Sequence, residues 1–152
     1  MSAADFDFFH GSWHMEHRRL TSWLTGCTEW EEFGSDTECR PILGGAGNID
    51  EGFMPSRGYH HATVRLYEPD TDEWALYWIT SAGGSVIEPP VRGRFSAGTG
   101  LFYAPDTHEG TPVLCRYKWS DIKPESVLWE QAFSTDDGQT WETNWIMAST
   151  RR

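Results

Sequence analysis

From Ser12 onward the chain runs in short segments of period-two alternation, each closed by Gly, Pro, Asn, Asp or Ser. Such a rhythm fits strands and turns and leaves no room for long helices. The segments are Ser12 to Leu20, Thr28 to Phe33, Glu38 to Leu43, Asn48 to Met54, His60 to Glu68 and Trp74 to Thr80. After an irregular stretch from Gly83 to Pro90 come Val91 to Ser96, Leu101 to Ala104, Thr111 to Ser120, Val127 to Phe133 and Trp141 to Thr150. Gly34-Ser35-Asp36 reads as a turn between the second and third segments, and Gly44-Gly45-Ala46-Gly47 as a bend before the fourth. No segment could cross over between parallel strands, so neighbours should be antiparallel and joined by hairpins. The predicted fold is all-β, an antiparallel up-and-down barrel of about ten strands, because closure removes exposed edges. Residues 1–152 should form one domain.

The first segment carries the most chemistry. One of its faces reads Trp13, Met15, His17, Arg19, apolar at the start and ionisable at the end. That face is predicted to line the interior, with His17 either a satisfied core histidine or an acid–base group in a cavity. Before it, Ala3 to Phe9 is expected to form one or two helical turns ended by Gly11, with Phe6 and Phe9 plugging one end of the barrel.

Nine tryptophans and 14% aromatic residues supply large apolar area to strands. The net charge of -11 argues against nucleic acid and anionic membrane surfaces as partners. No apolar run reaches the roughly 20 residues of a membrane span, and the N-terminus has no signal-peptide pattern, so a cytoplasmic location is expected. Cys27, Cys39 and Cys115 have no metal spacing; free thiols are the default, with a Cys27–Cys39 pair across a hairpin as the alternative.

Ser134-Thr135-Asp136-Asp137-Gly138-Gln139-Thr140-Trp141 resembles the Asp-box turn of sialidase propellers. There the motif is structural, and here it is expected to clamp the last hairpin.

The candidate interior groups are Trp13, His17, Arg19, Glu32, Asn48, Trp78, Arg94, Tyr103, Tyr117, Gln131 and Asn144. Glu32 is the proposed counter-ion of Arg19. Asn48 and Asp50 share a face after Gly47, which would allow close backbone approach. Apolar walls with a few polar anchors suit a small-molecule site. No nucleophile elbow, P-loop, dinucleotide fingerprint or zinc-protease motif is present. No metal and no cofactor is expected, and an enzyme here would rely on His17 or Tyr103 for proton transfer.

With these residues in view, the chain resembles an uncharacterised bacterial family of calycin-like barrels. The matching blocks are Phe6-Asp7-Phe8 with Gly11-Ser12-Trp13, His17-Arg18-Arg19-Leu20, Glu29-Trp30-Glu31-Glu32-Phe33 and Gly47-Asn48-Ile49-Asp50-Glu51. Pro89-Pro90-Val91, Trp129-Glu130-Gln131-Ala132-Phe133-Ser134 and Trp141-Glu142-Thr143-Asn144-Trp145 continue the match. Phe9 departs from it, where similar chains often have Trp or Leu. The resemblance implies a lipocalin or fatty-acid-binding-protein-like barrel and brings no catalytic residues. Gly11-Ser12-Trp13 also looks like the G-x-W that opens lipocalins, while the glycine-rich opening of nitrobindin-type haem barrels is absent. Phenolic acid decarboxylases and spirotetronate cyclases are barrels of this size, but no local motif matches either.

The leading expectation is a barrel that binds a small, largely hydrophobic molecule inside, neutral or anionic. The alternatives are a small cofactor-independent enzyme (cyclase, isomerase or decarboxylase of secondary metabolism) and a non-catalytic module pairing as a homodimer through aromatic strands.

Overall fold

The computed structural model describes residues 2–152. Its strands are β1 (Gly11–Leu20), β2 (Trp30–Ile42), β3 (Gly47–Met54), β4 (Tyr59–Glu68), β5 (Glu73–Thr80) and β6 (Ser85–Val86). They continue with β7 (Val91–Ser96), β8 (Thr99–His108), β9 (Thr111–Lys123), β10 (Ser126–Ser134) and β11 (Glu142–Arg151). Sequential antiparallel pairing carries the sheet around, and β1 closes it against β11 with Trp13 opposite Arg151 and Arg19 opposite Trp145. Ten strands form the closed antiparallel barrel, and the two-residue β6 sits beside it on the far half of β5. Against β7, β5 is paired only from Trp74 to Leu76. The segment around Ile87 therefore covers a gap between β5 and β8 near the open end.

One end of the barrel is sealed. Only a single 3-10 turn, Asp7–Phe9, forms where one or two helical turns were expected. The turn still delivers its aromatics: Phe6 and Phe9 are fully buried. Phe6 meets Trp74 and Phe95 edge-on at 4.9 Å, and Phe9 stacks on Trp13 at 5.1 Å. Trp13 Nε1 donates to the Phe9 carbonyl at 2.8 Å. Arg151 donates to the His10 and Phe8 carbonyls at 2.7 and 2.8 Å and lies 4.2 Å over the Trp13 ring. The last strand thus latches the plug that the first strand follows. Edge-on and offset aromatic pairs add to the burial of large apolar area, which is the main stabilising term here.

The second and third predicted segments are one 13-residue strand, β2. Gly34-Ser35-Asp36 does not turn, because each residue has a partner on β1: Gly34 opposite Glu16, Ser35 opposite Met15, Asp36 opposite His14. An unbroken ladder along β1 outweighs the weak local preference of Gly, Ser and Asp for turns. On β4 the ionisable set His61 and Arg65 is buried inward, while Ala62, Val64 and Leu66 are half-buried on the other face. All three cysteines are free. Cys27 lies in the loop after β1 and Cys39 sits opposite Gly11 at the plugged end, so the pairing alternative fails on geometry.

The final hairpin is held by its own side chains. The Asp136 carboxylate accepts from Ser134 Oγ at 2.8 Å and from the Thr140 amide and hydroxyl at 2.8 and 2.6 Å. The Ser134 hydroxyl accepts from the Gly138 amide at 2.8 Å, Gly138 takes φ +85°, and Trp141 Nε1 donates to the Gly138 carbonyl at 3.0 Å. Hydrogen bonds from Thr140, first, and Ser134 hold the Asp136 carboxyl down at about 2. A depressed carboxylate contributes stability above its unfolded pKa of about 3.9 and loses it as pH falls through about 2. Asp136→Ala should lower Tm by a few degrees at pH 7, with the gap to the wild type closing toward pH 2, as read by thermal melts at both pH values.

Candidate functional site

Between the aromatic plug and the open end lies a cavity of about 270 Å³. Its walls are apolar and rich in tryptophan: Trp23, Trp78, Trp119, Trp129 and Trp145 all line it, with Met15, Met54, Leu76 and Phe133. The reason is strand phase. On β9 the face Val113, Cys115, Tyr117, Trp119 points inward, and on β10 Trp129, Gln131 and Phe133 do.

The floor is built on Arg65, which is 3% exposed. Its Nη2 donates to Asp50 Oδ2 at 2.5 Å and its Nη1 to Asn48 Oδ1 at 2.9 Å. Cys39 Sγ lies 3.6 Å from the same Asn48 oxygen. Three rings, Phe6, Phe9 and Trp119, each hold the guanidinium carbon 5.3 Å from their centroids. Gly47 lets β3 close on β4 at this level, since a Cβ there would fall 2.4 Å from the Arg65 carbonyl oxygen. A charge this deep requires a geometrically good partner, and Asp50 provides it. His61, further along β4, is held neutral because burial lowers its pKa, with the Asp50 carboxylate opposing the shift.

The open end carries a second charged group. Arg19 Nη1 lies 3.6 Å from Glu31 Oε1, and its guanidinium carbon stands 4.3 Å over Trp23 and 5.0 Å over Trp145. Arg57 pairs with the same Glu31 carboxylate and lies 5.1 Å over Phe33. Two cations thus share one carboxylate.

On the wall, Tyr117 and Gln131 face one another across β9 and β10. Gln131 Nε2 donates to Asn144 Oδ1 at 3.0 Å, which leaves the Gln131 carbonyl oxygen without a protein donor. The Tyr117 hydroxyl has no hydrogen-bond partner among the described residues, and burial pushes its pKa above the ordinary phenol range, so it is a neutral O–H.

Of the predicted site residues, Arg19, Trp78, Tyr117 and Gln131 line this cavity. Trp13, His17, Asn48 and Asn144 are inward and fully buried, but they lie outside the cavity wall. Trp13 belongs to the plug, and Asn48 and Asn144 support Arg65 and Gln131 from behind. His17 is enclosed: Trp145 Nε1 donates to its Nδ1 at 3.0 Å, which puts the ring proton on Nε2, and Nε2 donates to Ser35 Oγ at 2.7 Å. It stacks on Phe33 at 4.5 Å, and burial, then the disfavouring of a second positive charge beside His61 and Arg57, lowers its pKa to about 4.

Three predicted residues lie outside the barrel. Glu32 is on the outer face beside Arg18, at 3.6 Å, and Glu31 is the counter-ion of Arg19. Reading β2 as two strands breaks the phase that, counted back from Cys39, puts Glu31 inside. Arg94 is outside with Glu73 at 3.2 Å, and Tyr103 is 38% exposed near Trp141. Each alternates with inward neighbours, Gly93 and Phe95 for Arg94, Phe102 and Ala104 for Tyr103. Arg65 and His61 are the residues that sequence reasoning missed. Their signal is the ionisable face of β4, legible as alternation but not as inward.

Removing one partner of a buried pair strands the other charge, at about 3–5 kcal/mol. Asp50→Ala should therefore lose about that much in urea unfolding, while the double variant Asp50→Leu/Arg65→Met should lose much less. His17 gives a separate pH signature. Its folded pKa lies below its unfolded value, so the unfolded chain binds more protons between pH 6.5 and 4. Stability from this group is full above pH 6.5 and falls toward pH 4, by on the order of 3 kcal/mol. Urea unfolding at pH 7.5 and 4.5 should show that fall in the wild type and a much flatter dependence in His17→Gln.

No family profile matches the chain, and no curated protein does. Among solved structures, the chain is similar to the S-type phycobiliprotein lyase CPES from Guillardia theta, with a TM-score of 0.62 and 15% identity. The match covers 100% of this chain and 93% of that one, so the two share one barrel fold over all of this chain and most of the other.

Proposed function

We propose that the barrel binds a compact, largely apolar molecule in its interior, with an anionic group of that molecule at the Arg19–Arg57 mouth. The observation that carries this reading is the cavity of about 270 Å³, walled by five tryptophans and open beside two arginines that share one carboxylate. Its volume is just under the roughly 300 Å³ at the lower end of small-molecule sites, which favours a one- or two-ring acid over a long acyl chain. A phycobiliprotein lyase with the same barrel is consistent with a small-molecule role for this scaffold. The sequence blocks from Phe6 to Trp145, together with the barrel, support membership in the uncharacterised bacterial calycin-like family.

The enzyme alternative draws less support. His17 has both ring nitrogens engaged and Tyr103 faces outward. Cys115 lines the cavity, but burial pushes its thiol up to about 12, which leaves little thiolate.

Titration with 2-naphthoic acid should quench tryptophan fluorescence saturably at one site per chain. Arg19→Ala should weaken that acid roughly tenfold while leaving its methyl ester within about twofold, since a charge-assisted hydrogen bond is removed. Absence of saturable quenching by aromatic or short acyl acids would count against the reading.

A further inference from the structure

The mouth arginines account for an anionic group, but the polar pair deeper in the wall calls for different chemistry. Tyr117 and Gln131 sit directly opposite on neighbouring strands and both line the cavity. The pair offers one donor and one acceptor. The Tyr117 phenol is neutral and has no protein partner. The Gln131 side chain is oriented by its Nε2–H bond to Asn144, and its carbonyl oxygen is left open. Neither atom is among the buried polar atoms that are both shut off and unpaired, so both meet the cavity space. A carboxylate suits this spot poorly. It would face the Gln131 carbonyl, an acceptor with no proton to give, and Asp106 on the same cavity lining. The surrounding surface is flat and aromatic, with Trp129 edge-on to Tyr117 at 5.0 Å and to Trp145 at 6.0 Å.

We infer that Tyr117 and Gln131 form a polar subsite for an uncharged amide or lactam carried on a flat ring. The Tyr117 hydroxyl donates to the ligand carbonyl, and the Gln131 carbonyl accepts from the ligand N–H. This deepens the ligand-binding reading of the cavity and rests on it. It separates two chemistries along the barrel: charge at the mouth and a neutral donor–acceptor edge on the inner wall. Because amide groups left unpaired in an apolar site are penalised, the subsite discriminates strongly between rings with and without that edge.

Three probes of similar shape test it by calorimetry: 2-quinolinone, which has both groups, N-methyl-2-quinolinone, which lacks the donor, and naphthalene, which lacks both. 2-Quinolinone should bind roughly tenfold tighter than either of the others. Tyr117→Phe should weaken 2-quinolinone roughly tenfold and leave naphthalene unchanged, without loss of thermal stability, because the lost hydroxyl has no protein partner. Equal binding of all three probes, or no effect of Tyr117→Phe on 2-quinolinone, overturns the subsite while the cavity reading stands. Binding of none of the three overturns the subsite, and absence of saturable quenching by 2-naphthoic acid as well overturns the cavity reading. If Tyr117→Phe does not fold, the ranking of the three probes on the wild-type protein decides.

Discussion

The ion pair between Arg65 and Asp50 is the constraint on which the rest of the interior depends. A guanidinium that is 3% exposed is tolerated only when its charge is matched. Asp50 matches the charge, Asn48 occupies a second donor, and three aromatic rings pack around the carbon. Two of those rings, Phe6 and Phe9, belong to the plug, and the third, Trp119, belongs to the cavity wall. The same side chain therefore ends the apolar core on one side and begins the ligand space on the other.

That placement explains why the barrel is lopsided. Below Arg65 the interior is filled by Phe6, Phe9, Trp13, Trp74 and Phe102, all essentially unexposed. Above it the large side chains stand along the walls, and the middle stays open. Protein interiors normally pack without voids, so an open space bounded by Trp, Tyr and Gln is a feature the fold maintains against close packing. His17 contributes from behind the wall. By accepting from Trp145 and donating to Ser35, it fixes one of the cavity's tryptophans to β1 and β2. Its role in the structure is to hold a wall, which a neutral imidazole does well and a charged one would do poorly.

The barrel itself was legible because alternation and turn chemistry act locally and agree with one another. Where they disagreed, the local signal misled. Gly34-Ser35-Asp36 has turn residues but pairs throughout with β1, and from Asp36 onward β2 pairs with β3 as well. A turn placed there resets the phase of β2 and points Glu32 inward, whereas the unbroken strand points Glu31 inward. Arg94 beside Gly93 and Tyr103 among aromatics read as interior candidates, although their apolar neighbours Phe95, Phe102 and Ala104 mark the opposite face as inward. Tyr117 and Gln131 lie among aromatics in the same way, and they face inward because they alternate in phase with Cys115, Trp119, Trp129 and Phe133.

Arg65 was harder to see for a physical reason. On β4 the apolar residues Ala62, Val64 and Leu66 alternate with His61, Thr63 and Arg65, and burial preference alone sends the apolar set inside. The reverse is realised because β3 brings Asn48 and Asp50 to the same interior level, where both accept from the Arg65 guanidinium. A single strand cannot reveal this, since the hydrophobic pattern of one strand records only that two faces differ. The inward choice is made by the pair, and the clue to it is that β3 also presents an Asn-x-Asp face directly after a glycine that permits close approach. Two neighbouring strands with complementary polar faces are therefore a stronger sign of a polar cavity floor than any one ionisable residue on an otherwise apolar strand.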